Sequence, residues 1–198
     1  ATQLLGEEGL EDEVRLQCVQ TIATGLKKAG LIVDNLLSLG KPRAQIQRER
    51  LALETVLSEA VDAVASHPNY RNVQIKHQLP ADALFVVGNH DMLVQVFYNV
   101  ITNALNEMPE GGRILIRGEE DEVQVRIRIS DTGPGVSDEQ LKHLFDPFFS
   151  ASSSGGGTGL GLTLSYFIMK EHGGNIEVES VPGKGATFIL CFPIEVGL

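Results

Sequence analysis

Apolar positions along this chain recur at two different spacings, and the spacing changes several times. Val19, Ile22, Leu26, Ala29, Val33 and Leu36 alternate at intervals of three and four. That is a heptad seam. It predicts one long helix over residues 10–39, which must bury its stripe against other helices. Gly25 and Gly30 weaken it locally, and Gly40 followed by Pro42 stops it. Glu7, Glu8, Glu11, Asp12 and Glu13 lie near its start, with Lys41 and Arg43 past its end, the order a helix dipole favours. The seam reads as one arm of a bundle, most simply an intermolecular one. The alternative is a helix packed on its own domain.

Past residue 42 the pattern alternates between helix and strand. Residues 43–50 are polar and basic, a linker or short edge strand. Leu53, Val56, Leu57, Ala60, Val61 and Val64 share one face and predict a helix over 51–65, closed by His67-Pro68-Asn69. Val73 and Ile75 alternate with polar neighbours as a strand, Leu79 to Asp82 turns, and 84–87 is a short buried strand. Residues 95–108 form an amphipathic helix. Val96, Val100, Ala104 and Leu105 face inward, flanked by Phe97, Ile101 and Met108, with Asn89 or Asp91 as the cap. A hairpin follows, 113–117 and 123–129, its inward series Val123, Val125, Ile127 and Ile129, joined by the acidic loop 119–122. Ser137 starts a short helix running through Leu141 and Leu144. Residues 150–157 are small and read as a lid. Residues 160–170 form a further helix, and 175–181 and 186–192 two more strands. The sum is an α+β two-layer sandwich, a mixed, largely antiparallel sheet packed on helices, with a long N-terminal helix.

Composition narrows the functions. The chain has 198 residues, 42% of them hydrophobic, and a net charge of −10. No nucleic-acid partner is expected, because wrapping nucleic acid non-specifically needs a basic surface to neutralise phosphates. No run of 18 apolar residues offers a membrane span, and the N-terminus lacks a signal-peptide pattern. Cys18 and Cys191 are far apart, which fits a reduced, cytoplasmic setting. Cys191 alternates with apolar strand neighbours and reads as a buried small hydrophobe.

The polar face of helix 95–108 holds the chemistry. Asn99, Asn103 and Asn106 recur at four and three residues, one stripe of mediocre helix formers. It is either a solvated face or a row of oxygens and amides turned to a metal or phosphate. Four ordered elements follow: Asp131-Thr132-Gly133-Pro134-Gly135, then Phe145-Asp146-Pro147-Phe148-Phe149, then Gly157-Thr158-Gly159-Leu160-Gly161-Leu162, then Gly183-Lys184-Gly185-Ala186-Thr187-Phe188. An anion-binding helix N-terminus suits the third of these.

This set resembles the ATP-binding domain of two-component sensor histidine kinases, within the superfamily shared with type II topoisomerases, heat-shock chaperones and mismatch-repair ATPases. The resemblance covers residues 50–194. A looser one, on residues 10–42 and the text IVDNLLSLGKP, is to the second helix of the kinase dimerisation and phosphotransfer domain. NALNEMPEGG is similar to the nitrogen-regulation subtype. The implied fold is the Bergerat-type ATP-binding fold, and the implied division is 1–42, a partial dimerisation helix, and 43–198, the catalytic domain.

The resemblance also implies roles. The cofactors are ATP and Mg²⁺. Asn99, Asn103 and Asn106 are the catalytic asparagines, with Asn103 the metal ligand. Asp131 accepts from the adenine amine, Gly133 and Gly135 let the backbone pass the base, and Thr187 lies beside it. Phe148 belongs to the lid hinge. Gly157, Thr158, Gly159, Leu160, Gly161 and Leu162 hold the triphosphate. Asn106 stands where many sensor kinases have Lys or Arg, and no lysine follows the DPFF run. Where the superfamily's hydrolases carry a glutamate, Asn99 stands, which favours phosphotransfer over hydrolysis. None of the five histidines fits the phosphoacceptor pattern, so the chain reads as a fragment beginning between the two dimerisation helices. The partners implied are the phosphoacceptor-histidine helix, a response-regulator receiver domain and, in the parent, a second copy. The parent is either membrane-anchored or soluble. A non-catalytic docking and dimerisation module, and a hydrolytic ATPase of the same superfamily, are the alternatives.

Overall fold

Val125, Ile127 and Ile129 alternate with Arg126, Arg128 and Ser130, and this period of two builds the middle strand of the main sheet. In the computed structural model, residues 19, 47–80, 83–150 and 158–194 are described. The chain divides into two units, 1–41 and 42–198. The heptad seam lies outside the described residues apart from Val19, and so does the 151–157 part of the expected lid.

Among the described residues, the order in the second unit is β1 (Glu49–Ala52), α1 (Leu53–Ala63), β2 (Val73–Gln78), β3 (Phe85–Gly88), α2 (His90–Asn106), β4 (Gly112–Glu120), β5 (Gln124–Asp131), α3 (Asp138–Leu141), α4 (Gly161–Glu171), β6 (Asn175–Ser180) and β7 (Ala186–Pro193). The main sheet runs β2-β4-β5-β7-β6. Its β2–β4 pair is parallel and the rest antiparallel. One face carries Ile114, Ile116, Val125, Ile127, Ile129, Phe188, Leu190 and Phe192. These bury against the apolar stripes of α1, α2 and α4 in one core, with Leu53, Phe97 and Met169 fully enclosed. Truncating Leu53, Phe97 or Met169 to alanine would cost about 2–5 kcal/mol. The other face is wet, with Arg126 paired to Glu119 and Asp121, and Arg128 to Glu179. Cys191 lies on that face opposite Arg126, yet it is buried, and burial pushes its thiol pKa up.

Two expectations need correction. The helix predicted from residue 51 begins at Leu53, because Leu51 and Ala52 pair with Val86 and Phe85 as a separate two-stranded sheet. The apolar pattern at Leu51 suits either period. Val123 is 74% exposed rather than inward. The Asp121 carboxylate accepts from the N–H groups of Val123 and Gln124, which makes Val123 part of the turn.

The cap of α2 is Asn89, whose side chain accepts from the Met92 N–H at 3.0 Å. Ser137 and Gln140 form a reciprocal capping box on α3. No helix among the described residues is long and apolar enough to cross a membrane.

Candidate functional site

Strand β5 ends at Asp131, one residue past Ser130, and β5–β7 register sets Ser130 opposite Thr187. Their hydroxyls meet at 2.9 Å. The half-buried Asp131 carboxylate accepts at Oδ1 from the Gly133 N–H (2.8 Å) and the Ala186 N–H (3.2 Å). Oδ2 has no protein partner among the described residues. Burial raises the Asp131 carboxyl above the ordinary carboxylate range, against the pull of those backbone donors. An acceptor fixed in this way suits a ligand that offers a donor. Gly135 packs on the turn between β6 and β7, where the Gly183 N–H donates to the Pro134 carbonyl. The two loops therefore form one wall around the carboxylate.

The asparagine stripe on α2 runs from this wall to the glycine-rich segment. Met108, just past the helix, approaches Thr132, and the Glu107 and Met108 side chains lie beside Gly133. One turn and more earlier, Asn99 is fully engaged. Its Oδ1 accepts from Gln95 Nε2 (2.8 Å), and its Nδ2 donates to the Gly161 carbonyl (3.0 Å) and to Ser165 Oγ (3.2 Å). Asn103 is half-buried, and its side chain has no hydrogen-bond partner among the described residues. Its carboxamide oxygen is free to meet a hard cation, and its amide to meet a phosphate oxygen. Asn106 Oδ1 is held by His67 Nε2 at 3.2 Å. The three asparagines thus share a stripe but differ in state: one tied to α4, one open, one fixed from the α1–β2 connection.

At the far end, Thr158 Oγ1 accepts from the Leu160 N–H (3.4 Å), Leu160 is buried, and α4 starts at Gly161. Leu162 packs partly buried on the core. Gly157 lies outside the described residues. The Phe148 N–H donates to the Gly159 carbonyl at 3.0 Å. A Cβ at Gly159 would come within 2.4 Å of the Phe148 carbonyl carbon, and Gly159 has φ +69°, so only glycine fits. Phe148 itself has φ 65° and is 65% exposed, an uncommon backbone state for a bulky residue. Phe145 stacks on Tyr166, ring centroids 5.4 Å apart. The DPFF run and the glycine-rich segment are therefore tied together beside the asparagine stripe.

His172 follows α4 and is buried. It bonds the Ile168 carbonyl through Nδ1 (2.7 Å), and its Nε2 accepts from the Asn89 N–H (3.0 Å). It ties α4 to the cap of α2 and thereby sets the glycine-rich helix against the asparagine helix. His67 opens the segment that closes the helical pattern 51–65, and no motif marks its contact with Asn106. Among the described residues no cluster of three or more His, Cys, Asp or Glu could hold a metal. An ion at Asn103 would take its remaining ligands from phosphate and water.

The chain as a whole is similar to known proteins. Residues 88–196 match the model of the family described as histidine kinase-, DNA gyrase B- and HSP90-like ATPase. Sporulation kinase A of Bacillus subtilis (strain 168) is 34% identical over 168 residues, 85% of this chain and 27% of that protein. Sensor histidine kinase ZraS of Escherichia coli (strain K12) is 31% identical over 180 residues, 91% of this chain and 38% of that protein. The chain thus spans well under half the length of these relatives. The catalytic domain of histidine kinase ThkA, nucleotide-free, superposes with a TM-score of 0.65 at 28% identity, covering 74% of this chain and 97% of that one. ThkA in complex with the response regulator TrrA superposes with a TM-score of 0.79 at 24% identity, covering 97% of this chain and 55% of that one. With more than half of its residues matched by one family model, and with the fold of a kinase catalytic domain, the chain belongs to the histidine kinase-, DNA gyrase B- and HSP90-like ATPase family.

Proposed function

We propose that residues 43–198 are the ATP-binding catalytic module of a two-component sensor histidine kinase. It binds Mg-ATP and delivers the γ-phosphoryl group to a histidine on a dimerisation helix of the parent protein, of which residues 1–42 are a part. The carrying observation is the Asp131 carboxylate, pinned at Oδ1 by two backbone N–H groups and open at Oδ2, at the end of a stripe that leads to the glycine-rich segment. An acceptor in that place takes the exocyclic amine of adenine and opposes the carbonyl that guanine carries there. The Ser130 and Thr187 hydroxyls lie alongside as further polar contacts for the base.

From there the triphosphate lies along α2 toward the N-terminus of α4, whose free N–H groups favour anions. The open Asn103 carboxamide fits Mg²⁺ as one oxygen ligand. When bound, that ion neutralises charge on the phosphates, which an acidic chain with no cation on this stripe does not do by itself. Asn99 is a carboxamide saturated by Gln95, Gly161 and Ser165, so it offers no base for activating water. That favours transfer over hydrolysis. In the transfer, an imidazole nitrogen bonds the γ-phosphorus, the bond to the β-phosphate oxygen breaks, ADP leaves, and the imidazole N–H proton passes to solvent. The regulator bound to ThkA supports a receiver domain as the downstream partner, and the heptad seam supports a parent homodimer.

Calorimetry with a non-hydrolysable ATP analogue tests the reading. Mg²⁺-dependent affinity that collapses in Asp131→Asn, and whose Mg²⁺ dependence changes in Asn103→Asp, is the expected result. Absence of any binding by the parent chain refutes it. Radiolabel from ATP should not remain on the chain alone. Label that is acid-labile and alkali-stable would show that an acceptor histidine is present after all.

A further inference from the structure

The α1–β2 connection docks on the C-terminal end of the asparagine helix, far in sequence from any motif. Asn69 Nδ2 donates to the Leu105 carbonyl at 2.9 Å, a side-chain donor added to a carbonyl at the end of α2 that also accepts from the Met108 N–H at 3.3 Å. His67 sits two residues earlier, half-buried. Its ring makes two contacts. The Asn69 N–H donates to Nδ1 at 3.2 Å, and Nε2 meets Asn106 Oδ1 at 3.2 Å.

The first contact settles the second. A nitrogen that accepts an N–H carries a lone pair, so in the neutral ring the proton sits on Nε2. Nε2 therefore donates, and the Asn106 oxygen accepts. With its oxygen turned to His67, the carboxamide presents its NH₂ elsewhere, and no acceptor takes that group among the described residues. Asn106 shares its stripe with Asn99 and Asn103, where the proposed phosphates lie.

We propose that His67 is a positioning residue of the nucleotide site. It orients the Asn106 carboxamide so that its NH₂ group, not its oxygen, faces a phosphate oxygen of the bound nucleotide. The device compensates for a neutral side chain at this position: in the empty site an unheld amide samples flipped and rotated states that an arriving anion must reverse, and His67 holds the donating orientation in advance. This inference rests on the nucleotide reading above.

Two substitutions separate the ring's two contacts. His67→Asn retains an acceptor for the Asn69 N–H, as an Asx turn, but is too short to reach Asn106. His67→Gln reaches Asn106 with a donor and gives up the Nδ1 contact. The probes are a non-hydrolysable ATP analogue and adenosine, titrated by calorimetry with Mg²⁺ into the 198-residue chain, with Tm recorded for each variant. His67→Asn is expected to weaken the triphosphate about three- to tenfold, the worth of one neutral hydrogen bond. Adenosine affinity should be unchanged, and His67→Gln should bind as the parent does. His67→Asn combined with Asn106→Ala should bind no more weakly than Asn106→Ala alone. Equal losses for triphosphate and adenosine, unchanged triphosphate affinity in His67→Asn, or equal weakening in both His67 variants would overturn the inference while the nucleotide reading stands. A parent chain that binds neither probe would overturn both.

Discussion

Gly185 lies against the backbone of Asp131 so closely that a Cβ there would fall 2.1 Å from the Asp131 carbonyl oxygen. Its φ is +86°, in the region that L side chains disfavour. The Ala186 N–H, next in the chain, is one of the two donors that hold Asp131 Oδ1. Gly185 thus sets how near the β6–β7 turn comes to the carboxylate. Gly185→Ala must push backbone from backbone and also strain φ. The expected cost is about 2–4 kcal/mol in denaturant unfolding. ATP-analogue binding should be lost in the fraction that remains folded. A variant with full affinity would show that the turn does not position Asp131.

Asp131→Asn should separate stability from binding. Burial raises the Asp131 pKa in the folded chain. Between the ordinary carboxylate value and the raised one, the folded chain holds a proton that the unfolded chain has released. Stability therefore falls as pH rises through that window. At pH 7.5 the ionised group costs stability, and asparagine removes the charge while its Oδ1 still accepts from Gly133 and Ala186. The Tm of Asp131→Asn should equal or exceed the parent's. Affinity for the ATP analogue should drop by about 100-fold, because a charged acceptor is lost and an amine now faces the adenine amine. In the parent, affinity should fade on acidification at a higher pH than an ordinary surface carboxylate would give. A lower Tm with retained affinity would reverse the assignment.

These relationships differ in how far the sequence announces them. The apolar series Val96, Val100, Ala104 set against Asn99, Asn103, Asn106 is a strong period over several turns, so helix and polar stripe were both readable. Asp131 was readable because a strand ends there and glycines follow in a set order. The Ser130–Thr187 contact was not, since it depends on β5–β7 register across 57 residues of chain. Leu51 satisfies both the helical and the strand period, and pairing with Val86 decided between them. His67 and His172 are single polar residues at the ends of helical patterns. Nothing local distinguishes a solvated histidine from one whose two nitrogens are both engaged.

The unequal states of Asn99 and Asn103 predict unequal responses to the same chemical change. Aspartate at 99 has no donors, so it would set a carboxylate against the Gly161 carbonyl and lose the Nδ2 donations to Gly161 and Ser165, leaving only the Ser165 hydroxyl able to turn and donate to it. Asn99→Asp should cost about 1–3 kcal/mol of stability. Asn103 has no side-chain partner among the described residues, so Asn103→Asp should stay within about 0.5 kcal/mol of the parent. Its effect should appear in the Mg²⁺ dependence of nucleotide binding instead. Paired urea melts and Mg²⁺ titrations check both halves. Equal destabilisation by the two variants would mean that the Asn99 tie to α4 carries no weight.

The His172 ring predicts the pH profile of folding. It is buried between α4 and the cap of α2, and that burial holds its pKa below the ordinary 6.5. Nε2 must stay unprotonated to accept from the Asn89 N–H. Below pH 6.5 the unfolded chain takes up a proton here that the folded chain refuses. The stability this site contributes is therefore complete above 6.5 and is lost as pH falls toward the depressed folded value. His90 acts in the opposite sense. Its pKa is raised, chiefly by its hydrogen bond to Asp91 and further by Glu59, so its contribution is present below 6.5 and is lost as pH rises through the raised value. The parent profile is the sum of the two, and His172→Gln separates them. Gln keeps an acceptor for the Asn89 N–H and does not titrate. From pH 7.5 to 5.5, unfolding free energy should drop more in the parent than in His172→Gln, while His90 stays common to both. Parallel profiles would show that the α2–α4 tie does not depend on a neutral imidazole.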